Sequence, residues 1–574
     1  MDYLKQFHFW TENTYFDERT QNELRLLSDP KEIEDRFYKD LEFGTGGLRG
    51  VVGAGTNRMN IYTVRKASQG VADYVKRNNF PIGVEGIAIA YDCRRMSEEL
   101  AREAACVFAA NDITAHLFRE LMPTPVLSFT VRHLKCAMGI VITASHNPKE
   151  YNGYKVYSMD GGQITDTLAN KISSYIHKVD PIDNIKTVKF EDGLACGDIR
   201  YIGDVVLDTY VANALRLSGD VVPEARRALK VVYSPLHGTG LKPVARVLAE
   251  AGFEHVTVVE KQKTPDTEFS TVKSPNPEDH NALAMAIGIA KEQGADIVMA
   301  TDPDSDRLGV AIRDHQGEYS FLNGNQLGCL LLDTCLRLRK TQRELKTEDY
   351  VVKTIVTTRM ADVMTQEYGI KCFDVLTGFK YIGEKIKEIE VNGQGDFIFG
   401  FEESYGYLSG TFVRDKDAVI AALLTCEAAA YSKAHGYTLL DALQKLYEHY
   451  GYFNETMKSY ILPGKDGLTK IEILMDGLRA SAPKTLAGHR VIAVCDYLKS
   501  QRISKEGVQD IVLPKSNVLL YEIGDGSWLA VRPSGTEPKL KIYIGVKGTS
   551  ETDSRAKITA LESEAIDIVR RWTT

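Results

Sequence analysis

The segment Ala295-Asp-Ile-Val-Met-Ala-Thr-Asp302-Pro-Asp304-Ser-Asp306-Arg307 is an apolar run of strand length that ends in three carboxylates at alternate positions and an arginine. A run this short and this apolar reads as a strand buried on both faces, as in parallel α/β sheets. The scheme recurs at Gly86-Ile-Ala-Ile-Ala-Tyr-Asp92, Ala137-Met-Gly-Ile-Val-Ile-Thr-Ala-Ser145, Leu229-Lys-Val-Val-Tyr-Ser-Pro235 and Asp396-Phe-Ile-Phe-Gly-Phe-Glu402, each followed by a small-residue or acidic loop and a helical pattern. Repeated α/β units are expected. In such sheets ligands sit beyond the carboxyl ends of the strands, which is where these loops fall.

A chain of 574 residues is too long for one ordinary core, and domains of about 150 residues would give about four. Its 44% hydrophobic and 26% charged residues are those of a globular protein. A net charge of -8 and a pI near 5.9 argue against a nucleic-acid binder. No stretch approaches the roughly 20 apolar residues that span a bilayer, and Met1-Asp-Tyr-Leu-Lys-Gln-Phe-His lacks the pattern of a signal peptide. The nine cysteines stand singly, with no Cys-x-x-Cys pair, so reduced thiols and a cytoplasmic location are expected. Segment 11–40 reads as a charged helical cap. Polar stretches near 181–200, 314–320 and 449–456 read as junctions. The tail, with strand-like Ser527–Arg532 and Lys539–Ile544 before an amphipathic helix, reads as a smaller α+β unit.

Asp302, Asp304 and Asp306 can converge on one hard cation from a curved loop, and three unpaired carboxylates would otherwise repel one another. An EF-hand would need glycine and glutamate where Arg307 and Arg313 stand. A phosphatase of the Asp-x-Asp type would have Thr or Val in place of Asp306. Ser145 has no Gly-x-Ser-x-Gly elbow, but His146 and Lys155 lie close to it as proton-transfer candidates. Gly44-Thr-Gly-Gly-Leu-Arg49-Gly50 fails as a dinucleotide fingerprint, because Arg49 takes the third glycine position. It is still able to wrap a phosphate with backbone N–H groups. Arg532-Pro-Ser534-Gly535-Thr536-Glu-Pro-Lys539 offers a guanidinium, hydroxyls and amides suited to a dianion. Glu402-Glu403-Ser404 offers acceptors for sugar hydroxyls.

In this order, Gly-Thr-Gly-Gly-Leu-Arg-Gly, Thr-Ala-Ser-His-Asn-Pro, Asp-Pro-Asp-Ser-Asp-Arg, Gly-Phe-Glu-Glu-Ser-Tyr-Gly and Arg-Pro-Ser-Gly-Thr-Glu-Pro-Lys closely resemble the α-D-phosphohexomutase superfamily, the phosphoglucomutases and phosphomannomutases. The resemblance covers essentially the whole chain. It implies three similar mixed α/β domains and a smaller C-terminal α+β domain around a central cleft, expected here at 1–195, 196–317, 318–450 and 451–574. It implies a phosphoserine at Ser145, one Mg²⁺ held by Ser145, Asp302, Asp304 and Asp306, and catalytic roles for Arg49, His146 and Lys155, with Lys155 as general acid/base. Substrate contacts are implied for Arg307, Thr377, Gly378, Lys380, Glu402, Ser404, Arg532, Ser534, Gly535 and Thr536, and Lys416 for the distal phosphate. The implied reaction interconverts glucose 1-phosphate and glucose 6-phosphate through a bisphosphate such as glucose 1,6-bisphosphate, with small sugar phosphates as partners and neither nucleic acid nor membrane. Phe401 before Glu-Glu-Ser and Tyr405 and Tyr407 after it depart from the commonest bacterial phosphomannomutase pattern, and the extended N-terminus and Thr377-Gly-Phe-Lys-Tyr-Ile-Gly383 look more like a branch that includes phosphoglucomutases, phosphopentomutases and glucose-1,6-bisphosphate synthases, so glucose, mannose and pentose substrates stay open. A metal-dependent phosphatase and a catalytically silent sensor are the readings from other classes.

Overall fold

The computed structural model of the chain describes residues 2–573 apart from 181, 220, 463–464 and 535–538. Four sheets organise it. In the first, Ile87–Tyr91 lies between Ala115–Phe118 and Met138–Ile142, all parallel, and Tyr151–Ser158 returns antiparallel beside Met138–Ile142. The second repeats this with Lys230–Ser234 between His255–Val258 and Ile297–Thr301, and Leu308–Arg313 returning antiparallel. The third repeats it again: Tyr350–Thr354 lies between Lys371–Val375 and Phe397–Glu402, and Gly406–Leu408 returns.

The turn from the third strand of each unit into its antiparallel partner therefore holds Ser145 in the first unit, Asp302–Asp306 in the second and Glu403–Tyr405 in the third. Each turn carries one non-glycine residue in the left-handed region, Ser145 (φ 51°), Ser305 (φ 51°) and Tyr405 (φ 62°). These apolar runs are strands because both faces are covered, and Ile87–Tyr91, Met138–Ile142 and Ile297–Thr301 are buried throughout. Alternate residues of one strand serve different cores. Ile87 and Ile89 face the helices Ile61–Arg77 and Ser97–Ala110, while Ala88 and Ala90 join the large core shared with the next two units.

That shared core is centred on the helix Ala418–Ala434, nearly all of it buried. Asp417 caps it by accepting from Val419 and Ile420 N–H, and Tyr210 donates its hydroxyl to the same carboxylate. The fourth sheet is antiparallel, from Tyr452–Ile461 through Lys539–Gly548, Trp528–Pro533 and Leu519–Ile523 to His489–Asp496, backed by the helices Lys465–Ala480 and Glu551–Thr573. The N-terminal cap is three helices, Tyr3–Glu12, Glu18–Arg25 and Pro30–Phe37. They bury Trp10, which stacks on Phe16 with ring centroids 4.3 Å apart. Among the described residues no helix is long and apolar enough to cross a membrane.

Two expected boundaries cut sheets. Ile199–Ile202 pairs with Ala115–Phe118 in the first sheet, beyond the expected limit of 195. Tyr319–Leu322 pairs with Leu308–Arg313 in the second, beyond 317, so the polar stretch at 314–320 holds the hairpin turn between them. In each case a short strand adds to the ladder just past a polar stretch.

Candidate active site

A cleft of about 860 Å³ is lined by residues from all four sheet units, including His146, Glu278, Arg307, Thr377, Glu402 and Arg532. The serine turn and the acidic turn meet at its inner end. Ser145 Oγ donates to Asp302 Oδ2 at 2.5 Å, and His146 Nδ1 is 3.2 Å from the same hydroxyl. Burial together with the Arg307 and Arg49 cations holds the His146 imidazole well below its usual range, which favours the neutral ring.

Asp302, Asp304 and Asp306 are buried and each offers a carboxylate oxygen within 4.8 Å of the others. Asp302 Oδ1 accepts the N–H groups of Asp306 (3.1 Å) and Arg307 (3.0 Å), which curls the loop around it. Lys155 Nζ lies 2.7 Å from Asp304 Oδ2 and 3.5 Å from Asp306 Oδ2. Lys416 Nζ lies 3.2 Å from Asp306 Oδ2. Burial with Asp304 and Asp306 pushes the Asp302 carboxyl well above its usual range. Burial would raise Asp304 too, but the Lys155 ammonium, a hydrogen bond with Asp302 and the Lys416 cation together outweigh it and hold that carboxyl low. One oxygen of Asp304 and one of Asp306 remain buried with no hydrogen-bond partner. Such orphaned acceptors are costly unless a cation takes them. The cluster therefore fits a hard divalent ion in charge, donor type and spare lone pairs.

The other expected residues distribute as follows. Arg307 lines the cleft, donating to Glu278 Oε1 at 2.6 Å. Thr377, Gly378, Glu402, Ser404 and Lys416 line the same cleft, with the Thr377 hydroxyl buried and unpartnered. Lys416 belongs as much to the acidic cluster as to the cleft. Arg49 does not line the cleft and donates to Asn147 Oδ1 at 3.1 Å. Lys380 is likewise off the lining, bridging to Asp166 of the first unit at 3.3 Å. Ser534 closes its turn by donating N–H to the Lys539 carbonyl at 2.7 Å. Gly535 and Thr536 lie outside the described residues.

The Gly44–Gly50 loop differs from its sequence reading. Gly44 and Gly47 exchange N–H···O bonds of 3.1 and 2.9 Å, so those amides are not free for a phosphate. Gly47 is required for close approach, because a Cβ there would lie 1.8 Å from the Tyr154 carbonyl.

Other residues reach the site without a motif to announce them. Thr124 Oγ1 donates to Asp304 Oδ2 at 3.1 Å from the first unit. Lys541, directly opposite Arg532 in the fourth sheet, lines the cleft. Glu403 accepts from the Thr354 and Thr357 hydroxyls, and burial beside Glu402 pushes its carboxyl to about 7.

The folded pKa of Glu403 exceeds its ordinary 4.5, so the native state holds a proton that the unfolded chain releases between those values. The contribution is therefore favourable in acid and is lost as pH rises toward 7. Glu403→Gln is expected to gain stability relative to wild type between about pH 5 and about pH 8, by an amount on the order of 1 kcal/mol. Urea midpoints at both pH values test this, and an equal offset at the two would contradict it.

Models of the phosphoglucomutase/phosphomannomutase family match in order: alpha/beta/alpha domains I, II and III at residues 40–183, 208–317 and 323–450, and the C-terminal domain at 500–561. A phosphoglucomutase of Staphylococcus aureus (strain MRSA252) is 39% identical over 536 residues, covering 92% of this chain and 94% of its own. Two solved structures share the fold. One is pp63/parafusin (phosphoglucomutase) from Paramecium, with TM-score 0.69, 18% identity and coverage of 93% and 96% of the two chains. The other is a phosphoglucomutase/phosphomannomutase family protein of Burkholderia thailandensis, with TM-score 0.66, 21% identity and coverage of 92% and 97%. With every domain of the family present in sequence order around one cleft, the chain belongs to the phosphoglucomutase/phosphomannomutase family.

Proposed function

We propose that the protein interconverts glucose 1-phosphate and glucose 6-phosphate, with Ser145 carrying the phosphoryl group between the two positions. The observation that carries this reading is the 2.5 Å contact of the Ser145 hydroxyl with a buried three-carboxylate cluster that has spare acceptors. The phosphoglucomutase relatives at 39% identity support glucose as the sugar.

Asp302, Asp304 and Asp306 would hold Mg²⁺, which when bound offsets the charge of a phosphorylated Ser145 and polarises the transferring group. In the first half-reaction the Ser145 P–O bond breaks as a P–O bond forms to the free sugar hydroxyl, and the proton that hydroxyl gives up replaces the phosphoryl group on Ser145 Oγ, giving glucose 1,6-bisphosphate. In the second, Ser145 Oγ takes the other phosphoryl group and the sugar oxygen that loses it gains a proton. The serine proton leaves toward His146 Nδ1 or Asp302 Oδ2, both within 3.2 Å. Burial would lower the Lys155 ammonium, but Asp304 and Asp306 raise it. Lys155, charged in this setting and 2.7 Å from Asp304, is placed to serve as the general acid/base of the transfer. Arg307, Lys416, Arg532 and Lys541 give the cleft a cationic lining able to hold the second phosphate, and Glu402 and Ser404 face it as acceptors for sugar hydroxyls.

Mass spectrometry of the purified protein should find one phosphoryl group on Ser145, and glucose 1-phosphate should outcompete mannose and pentose 1-phosphates. Preference for another sugar would move the activity to phosphomannomutase or phosphopentomutase on the same scaffold. Stoichiometric release of inorganic phosphate would make the protein a phosphatase instead. For Arg532→Ala we expect the KM for glucose 1-phosphate to rise about tenfold or more, from a lost charge-assisted contact. An unchanged KM in steady-state assays would remove Arg532 from the phosphate contacts.

A further inference from the structure

Ser145 is held in a left-handed backbone conformation, which a non-glycine residue adopts only where its surroundings impose it. The restraint comes from one side chain. Arg94, 2% exposed, follows the strand Ile87–Tyr91 and donates to four backbone carbonyls of the serine loop. Its Nη1 reaches Pro148 O at 2.8 Å and Tyr151 O at 3.1 Å, and its Nη2 reaches Ser145 O and Asn147 O.

Asp92 aims this fork. It accepts the Arg94 N–H at 2.9 Å and the Ser97 hydroxyl at 2.6 Å, and its other oxygen lies 3.4 Å from Arg94 Nε. Asp92 also accepts the Thr143 hydroxyl at 2.6 Å, and that hydroxyl oxygen accepts the Ser145 N–H at 2.8 Å. The amide on one side of Ser145 and the carbonyl on the other are thus fixed by one buried Asp–Arg unit. A planar guanidinium meets four converging carbonyls better than an ammonium does.

We propose that Arg94 is a positioning residue for phosphoryl transfer, which sets the Ser145 side chain against the acidic turn of the second unit without touching the reacting atoms. A groove of about 930 Å³ outside the substrate cleft has Asp92, Cys93, Arg94, Ser97, Pro265 and Thr267 in its lining and shares no lining residue with the cleft, and the Arg94 side chain is buried behind it. The inference rests on Ser145 being the phosphoryl carrier.

The test uses the full chain with Arg94→Ala and Arg94→Lys, loaded with Mg²⁺ and glucose 1,6-bisphosphate. In Arg94→Ala, kcat should fall about 100-fold, the scale on which a misplaced reacting group costs rate. The KM for glucose 1-phosphate should stay within about twofold, because phosphate contacts in the cleft are untouched. Arg94→Lys should fall between Ala and wild type. Guanidinium chloride, entering through the groove, should restore at least about tenfold of the lost rate, whereas sodium chloride at the same concentration should not.

A kcat for Arg94→Ala within about threefold of wild type, or a KM that rises in proportion to the loss, overturns the inference. So does a loss that neither lysine nor guanidinium relieves and that follows a fallen melting temperature in both variants, because that is a purely structural role. If wild type accepts no phosphoryl group on Ser145 from glucose 1,6-bisphosphate, the underlying functional reading fails, and that result is distinct from any difference between variants.

Discussion

Ser145→Ala is expected to lose about four orders of magnitude or more of mutase turnover, the scale set by removing a covalent nucleophile, together with the phosphoryl group found on the purified protein. No neighbouring group can substitute. His146 Nδ1 sits 3.2 Å away, but its side chain belongs to the same loop and a phosphohistidine there would be displaced from the acidic cluster. The fold should tolerate the change. The hydroxyl bonds the Asp302 carboxylate and faces the His146 ring, and losing these contacts costs about 1–2 kcal/mol. Alanine is no more strained than serine at this φ. Coupled assays following glucose 6-phosphate, alongside mass spectrometry and thermal melts, test the three parts together. Turnover above about one per cent of wild type would show that Ser145 is not the carrier.

Asp302→Asn should separate metal dependence from folding. The asparagine Oδ1 keeps the Asp306 and Arg307 N–H bonds, and its amide can donate to Ser145 Oγ. The new side chain also resembles the uncharged carboxyl that burial and its two neighbours favour at Asp302 without metal. Without metal, stability should therefore change by less than about 1 kcal/mol. With Mg²⁺, turnover should fall about 10²–10³-fold, the usual scale for deleting one group that stabilises developing charge. The melting temperature should also gain less from added Mg²⁺ than wild type does, because a weaker ligand set binds less metal free energy into the native state. Wild-type turnover and a wild-type Mg²⁺ response in this variant would refute a metal role for the cluster.

Much of this was legible in the chain. The runs at 87–91, 138–142, 230–234, 297–301 and 397–402 announce themselves because a strand covered on both faces must be apolar at every position. The serine and acidic turns stand out because their chemistry has no cheap structural alternative in a buried site. The edge strands Ile199–Ile202 and Tyr319–Leu322 did not stand out. They are short and partly exposed, with an arginine in one and polar surroundings before the other. Arg94 and Thr124 act through tertiary register, which no local spacing encodes. Lys416, expected as a contact for the distal phosphate, lines the cleft and also pairs with Asp306, a contact that no local spacing encodes. The amides of Gly44 and Gly47 looked available because a glycine-rich stretch does not reveal that it closes on itself.

The common position of the three turns divides the chemistry into separable parts. On the proposed function, one copy of the same hairpin corner supplies the nucleophile, the second the cation seat, and the third the groups that face the sugar. The second and third corners meet through backbone, in an Arg307–Gly406 bridge and a Leu308 N–H to Tyr405 carbonyl bond of 3.2 Å, so a side chain exchanged at Glu403–Tyr405 leaves the ladders holding Ser145 and Asp302 in register. A scaffold built this way can change which sugar it accepts by altering one corner while the transfer machinery on the other two is inherited intact.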